Sequence, residues 1–134
     1  MGFATVGEAG ANRVFRVEPG IYLVRLSGHL TAALSTSLSE LVQNDLPDGP
    51  RAVIYETTDT FTGYDSDLRT LKLDQSTLKG TAHIGIVTSS AILRMVTATI
   101  ALGLRTARGI PMASYGSLET AVEGAREAIR RARR

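Results

Sequence analysis

A chain of 134 residues, 43% hydrophobic and 21% charged, is long enough for one domain with a core of its own. It holds no cysteine, which excludes disulfides, thiolate chemistry and cysteine-ligated zinc and fits a reducing cytoplasm. The net charge of +2 is unevenly placed, because the last nine residues, REAIRRARR, carry five arginines and one glutamate and leave ten basic and twelve acidic residues elsewhere.

The opening MGFATVGEAG lacks the basic-then-apolar order of a secretory signal, and Val6 stands where a myristoylation motif needs Ser or Thr. Residues 1–11 are expected to be a loose segment. The following RVFRVEPGIYLVRLSG predicts a hairpin: a β-branched and aromatic strand, a Pro19-Gly20 turn, and the more apolar strand IYLVRL. In HLTAALSTSLSELVQND, Leu30, Leu34, Leu38 and Leu41 recur on one helical face, with Thr31 placed to cap the start. The prolines and glycine of PDGP, residues 47–50, end that helix.

RAVIYET comes next, and its uninterrupted AVIY suits a strand covered on both faces. The segment FTGYDSDLRTL then places Asp65 and Ser66 ahead of an amphipathic stretch whose apolar positions are Leu68 and Leu71. A further apolar strand, AHIGIVT, precedes Ser89 and Ser90, which can cap the helix AILRMVTATIALGLRTA. Gly109 closes that helix, and IPMASY reads as a short strand whose Pro111 belongs at a sheet edge or a strand's first position. The last helix starts at Ser117 with the apolar stripe Leu118, Ala121, Val122, Ala125 and Ile129. Its acids lie near the start and its arginines, residues 126–134, near the end, as the helix dipole favours.

Strands alternating with helices after a hairpin predict one α/β domain over residues 1–134, with a mixed sheet of about five strands and about four helices mainly on one face. Arg94, Thr97 and Thr99 interrupt the longest apolar stretch, so no membrane-spanning helix is expected and the chain reads as soluble.

Several residues are candidates for chemistry. Ser66 has three readings: a helix cap with Asp65, worth about 1 kcal/mol, a phosphorylated hydroxyl, or a nucleophile. The last needs a base and oxyanion donors, and neither His29 nor His83 lies in a hydrolase motif. His83 reads as a strand-end residue with a satisfied hydrogen bond, and His29 as a polar residue at a strand-to-helix turn. Neither a Gly-x-Gly-x-x-Gly motif nor a phosphate-binding lysine loop is present, and no metal site is expected, so no cofactor is predicted. In the 91–107 helix, Ile92, Met95, Val96 and Ile100 form a core stripe, while further apolar residues spread around it. Leu93, Met95, Leu102 and Leu104 are therefore candidates for a surface covered by a second copy of the chain, by a neighbouring helix or by an apolar, lipid-like ligand. The arginine-rich end reads as a solvated helix terminus with weak attraction for acidic membranes and no dedicated nucleic-acid contact.

The succession of elements, and above all RAVIYETTDTFTGYDSDLRTL, resembles the STAS family of sulfate transporters and anti-sigma-factor antagonists, and is similar to its divergent branch around stage II sporulation protein AA. In that family an acidic residue ends an apolar strand, a short loop follows, and Asp-Ser opens the next helix. Here Glu56 follows AVIY and Asp65-Ser66 comes nine and ten residues later. Regulatory members carry Asp-Ser-Ser-Gly or Asp-Ser-Thr-Gly. This chain has Asp65-Ser66-Asp67-Leu68, which puts a fixed negative charge beside the hydroxyl. The resemblance implies a regulatory protein-interaction module without catalytic residues, possible as a homodimer. It further implies a signalling kinase or regulator as partner and contacts through Tyr64, Asp65, Ser66 and Asp67. The rival reading is a sensor or carrier of an apolar small molecule or lipid, held against the sheet by the 91–107 helix.

Overall fold

The computed structural model describes residues 3–64, 80–91, 94–95 and 110–133. They form six strands and two helices: β1 (Ala4–Ala9), β2 (Asn12–Glu18), β3 (Ile21–Leu30), α1 (Ala32–Asp45), β4 (Arg51–Tyr64), β5 (Thr81–Val87), β6 (Met112–Tyr115) and α2 (Leu118–Ala132). The strands lie side by side in chain order in one sheet. β1, β2 and β3 pair antiparallel through tight turns, whereas β3 to β6 run parallel.

The hairpin, both flanking helices and all predicted strands are present. The sixth strand is a correction, because the segment expected to be loose supplies β1, which pairs with β2 from Ala4↔Arg16 to Ala9↔Asn12. Buried Asn12 fixes that corner: its amide donates to the Ala9 carbonyl at 3.0 Å, and its carbonyl accepts from the Ser27 N–H at 2.9 Å. Of the four helices expected, the described residues contain α1 and α2, with Ala91, Arg94 and Met95 also helical.

α1 begins where predicted, with the Leu34 N–H donating to Thr31 Oγ1 at 3.1 Å. Leu30 is not on its apolar face, being the last residue of β3, and Val42 joins Leu38 in the buried stripe. α2 is capped by Ser117, whose Oγ accepts from the Thr120 N–H at 3.2 Å, and it buries Ala121, Val122, Ala125 and Ile129.

The two described helices, α1 and α2, lie on opposite faces of the sheet, and the other two of the helices expected mainly on one face fall largely outside the described residues. Alternation along the strands divides the core. Ile21 and Leu23 of β3 and Ala52 and Ile54 of β4 pack with the α2 stripe. Tyr22, Val24 and Leu26 of β3, Val14 of β2 and Val53 of β4 pack with Leu38 and Val42 of α1. β3 and β4 are thus apolar on both sides because each side is covered, as the unbroken AVIY run requires. β6 is the edge strand expected after Pro111, whose carbonyl accepts from the Ile84 N–H at 3.0 Å.

One further difference bears on the site. TTDTFTGY, expected to be mostly loop, continues β4 as far as Tyr64, paired with the end of β3 through Leu30↔Tyr64. The ribbon is bulged: between Leu26↔Thr57 and His29↔Gly63, β3 advances three residues while β4 advances six. Gly28 at φ +68° and Gly63 at φ +134° accept the backbone conformations this offset needs.

Candidate functional site

The parallel strands β3, β4 and β5 end at a common rim, the edge of an α/β sheet where ligands and partners ordinarily engage. Hydroxyl side chains dominate it. Thr58 Oγ1 donates to the Leu26 carbonyl at 3.0 Å and lies 2.8 Å from Ser27 Oγ and 3.0 Å from Thr60 Oγ1. On the next strand pair, Thr57 Oγ1 donates to Thr88 Oγ1 at 2.8 Å, and the Ser90 N–H donates to Thr88 Oγ1 at 3.2 Å. Ser90 in turn offers its carbonyl to the Arg94 N–H at 3.1 Å, so the predicted cap sits at the start of a helical turn. Glu56 is not at a strand end. It lies within β4 opposite Arg25, whose Nε donates to Glu56 Oε1 at 2.9 Å.

Beyond these hydroxyls the β3–β4 ribbon carries His29, which is exposed and paired with Gly63 within β3 instead of occupying a turn. Its last residue is Tyr64. Asp65, Ser66 and Asp67 follow directly and lie outside the described residues, as do Leu93, Leu102 and Leu104. Met95 is described and is 72% exposed, so it faces solvent and does not belong to the core stripe assigned to it from periodicity.

A second polar cluster lies on the α2 side of β5 and β6. His83 is 5% exposed, and its Nε2 is 2.8 Å from the hydroxyl of Tyr115, the last residue of β6. The two rings meet edge to face at 5.9 Å. Tyr115 fits because Gly85 below it and Gly124 of α2 beside it carry no Cβ. His83 Nδ1 is buried with no hydrogen-bond partner among the described residues, so the predicted satisfied histidine is satisfied at one nitrogen only. Burial holds the imidazole below its ordinary pKa and raises that of the Tyr115 phenol.

Two further polar clusters are structural. Asp45, at the end of α1, accepts from Arg16 Nε at 2.9 Å, Arg16 Nη2 at 2.6 Å and the Tyr22 hydroxyl at 2.5 Å. These bonds hold its carboxyl below the usual range, and burial with the Asp45 contact pushes Tyr22 up to about 12. They also offset the unfavourable placing of an acid at a helix C-terminus. Arg51, 1% exposed, donates from Nη1 to the Leu46 carbonyl at 2.6 Å and fastens the chain between α1 and β4.

Sequence reasoning reached the end of β4 but missed the hydroxyl row and Tyr115. The run of threonines in TTDTFTG is the visible trace of the first. The second leaves only two scattered glycines.

No helix among the described residues is long and apolar enough to cross a membrane, and no group of three or more His, Cys, Asp or Glu among them could hold a metal ion. No family model and no curated protein matches the chain. Among solved structures, the 2.25 Å crystal structure of an uncharacterized DUF3478-family protein from Shewanella loihica PV-4 superposes with a TM-score of 0.62 at 12% identity, covering 89% of this chain and 99% of that one. That protein is described as having a SpoIIAA-like fold, and at this likeness the chain shares the fold: a divergent, STAS-like α/β sheet.

Proposed function

We propose that the protein is a regulatory interaction module that meets a protein partner at the rim formed by the carboxyl ends of β3 to β5 and by the segment that leaves β4. The observation carrying this reading is the bulged β3–β4 ribbon, which continues the two central strands past the Leu26↔Thr57 rung and runs straight into Asp65-Ser66-Asp67. The rim hydroxyls bond to one another and to backbone, which suits a preformed contact surface. By analogy with the STAS family that the sequence resembles, the partner is a signalling kinase or regulator and the place of action is the cytoplasm.

On this reading Tyr64, Asp65, Ser66 and Asp67 touch the partner, and Ser66 is the switch. Phosphate on Ser66 adds about −1.5 to −2 charges between two aspartates, and that concentration of negative charge alters the contact. Pull-downs with wild type, Ser66→Ala and Ser66→Asp test it: Ser66→Ala retains the partner and Ser66→Asp changes what is captured. Identical captures by the two variants dispose of the switch. The exposure of Met95 favours a homodimer, with Leu93, Leu102 and Leu104, named from the sequence, as further candidate contacts. Native mass spectrometry reads the dimer mass directly, and a co-purifying lipid would replace the regulatory reading with that of an apolar-ligand carrier.

A further inference from the structure

The opposite end of the sheet carries a second feature, independent of Ser66. The β2–β3 turn and the last two turns of α2 enclose a surface pocket of about 230 Å³. Pro19 and the buried Ile21 and Ile129 give it an apolar floor. Its rim is Glu18 with Arg126, Arg130 and Arg133. The arginines are spaced by four and three residues, which places them on one stripe of the helix.

Two of these arginines are held in place. Arg126 donates from Nε and Nη2 to the two Glu18 carboxylate oxygens at 2.8 and 2.9 Å, and Arg130 donates from Nη1 to Glu127 at 2.6 Å. A guanidinium has five N–H donors, so each keeps donors to spare. The Arg133 side chain has no hydrogen bond or ion pair among the described residues. Arg126 is paired with Glu18 and Arg130 with Glu127, which leaves Arg133 as the rim guanidinium without a carboxylate among the described residues. The helix dipole accounts for cations in a last turn. It does not account for their lining a concavity with an apolar base.

We propose that this pocket binds the phosphate monoester end of a ligand. A monoester dianion offers pairs of oxygens to the guanidinium fork of Arg133 and to the spare donors of Arg126 and Arg130. The apolar floor takes the first carbons of the ester. A soluble organic phosphate and the headgroup of phosphatidic acid present the same chemistry, and the experiment separates them.

The full chain is titrated with glycerol 3-phosphate, following the arginine Nε–H resonances. In parallel it is co-sedimented with phosphatidylcholine vesicles containing phosphatidic acid or, as a diester control, phosphatidylglycerol. Binding to either monoester probe is expected, and the probe that binds identifies the source. Arg130→Ala/Arg133→Ala should weaken it by about tenfold or more, the scale of losing a charge-assisted hydrogen bond. Arg13→Ala/Arg131→Ala, which removes the same charge outside the pocket, should change it by less than about twofold. Binding should also fall below about pH 6 as the phosphate takes up its second proton. The proposal is overturned by equal loss in both double variants, by equal binding to phosphatidylglycerol, or by binding to neither monoester probe.

Discussion

Replacing Gly124 by alanine should destabilise the protein, the reverse of what helix propensity dictates. In an exposed helix interior, Gly→Ala gains about 1 kcal/mol, partly by restricting the unfolded chain. At Gly124 of α2 the added Cβ would stand 2.7 Å from Tyr115 Cζ and 3.0 Å from Cε1, with the hydroxyl closer still. Those atoms belong to a ring that also lies against Gly85, so the ring cannot slide toward the sheet. Forcing it aside costs about 1–3 kcal/mol as overpacking. Losing its hydroxyl leaves His83 with both ring nitrogens unpartnered, about 1–3 kcal/mol more. Against the propensity gain, the net loss is about 1–5 kcal/mol. Urea unfolding followed by far-UV circular dichroism measures it. In a Tyr115→Leu background the obstruction is gone, so the same substitution should become neutral or stabilising by up to about 1 kcal/mol. If Gly124→Ala raises the urea midpoint of the otherwise wild-type protein, the Tyr115–Gly124 contact is not as described.

Burial holds the His83 pKa below its unfolded value, so the unfolded chain takes up the proton first. The stability conferred by neutral His83 is present above about pH 6.5 and is lost as the pH falls from there through the depressed folded value. Urea midpoints measured from about pH 7.5 to 5 should drop for wild type, and His83→Gln should flatten that slope; a slope unchanged by the substitution refutes the assignment. Leu38 and Ile129 lie in separate cores on opposite faces of the sheet. Leu38→Ala and Ile129→Ala should each cost about 2–5 kcal/mol, and the double variant should lose their sum within about 0.5 kcal/mol. Strong non-additivity in the unfolding free energies would mean the faces are not mechanically separate.

Much of the fold is legible in the sequence, but unevenly. Periodicity identifies α2 down to its buried residues, because Leu118, Ala121, Val122, Ala125 and Ile129 repeat at helical spacing behind a serine cap. The strand AVIY signals cover on both faces, which α1 and α2 supply. β1 escapes notice because an edge strand needs little apolar surface: Ala4 and Thr5 are exposed, and Val6 and Ala9 pack only partly on the core. The outer half of β4 reads as loop because Asp59 and Gly63 are turn formers, yet its threonines and Phe61 suit an extended ribbon once β3 is beside it. At the candidate site, Ser27 with Thr58 and Thr57 with Thr88 meet across 31 residues. His83 and Tyr115 meet across 32, and no local pattern encodes such distances.

The bulge between Leu26 and His29 acts as an expansion joint. Every rung below it, from Ile21↔Ala52 to Leu26↔Thr57, keeps one residue opposite one, and there the two cores are anchored. Above it the count is already out of step, so inserting or deleting a residue within 58–62 shifts only the outermost pairs. The protein can therefore change the reach and tilt of the arm that ends at Tyr64 while its interior stays in register.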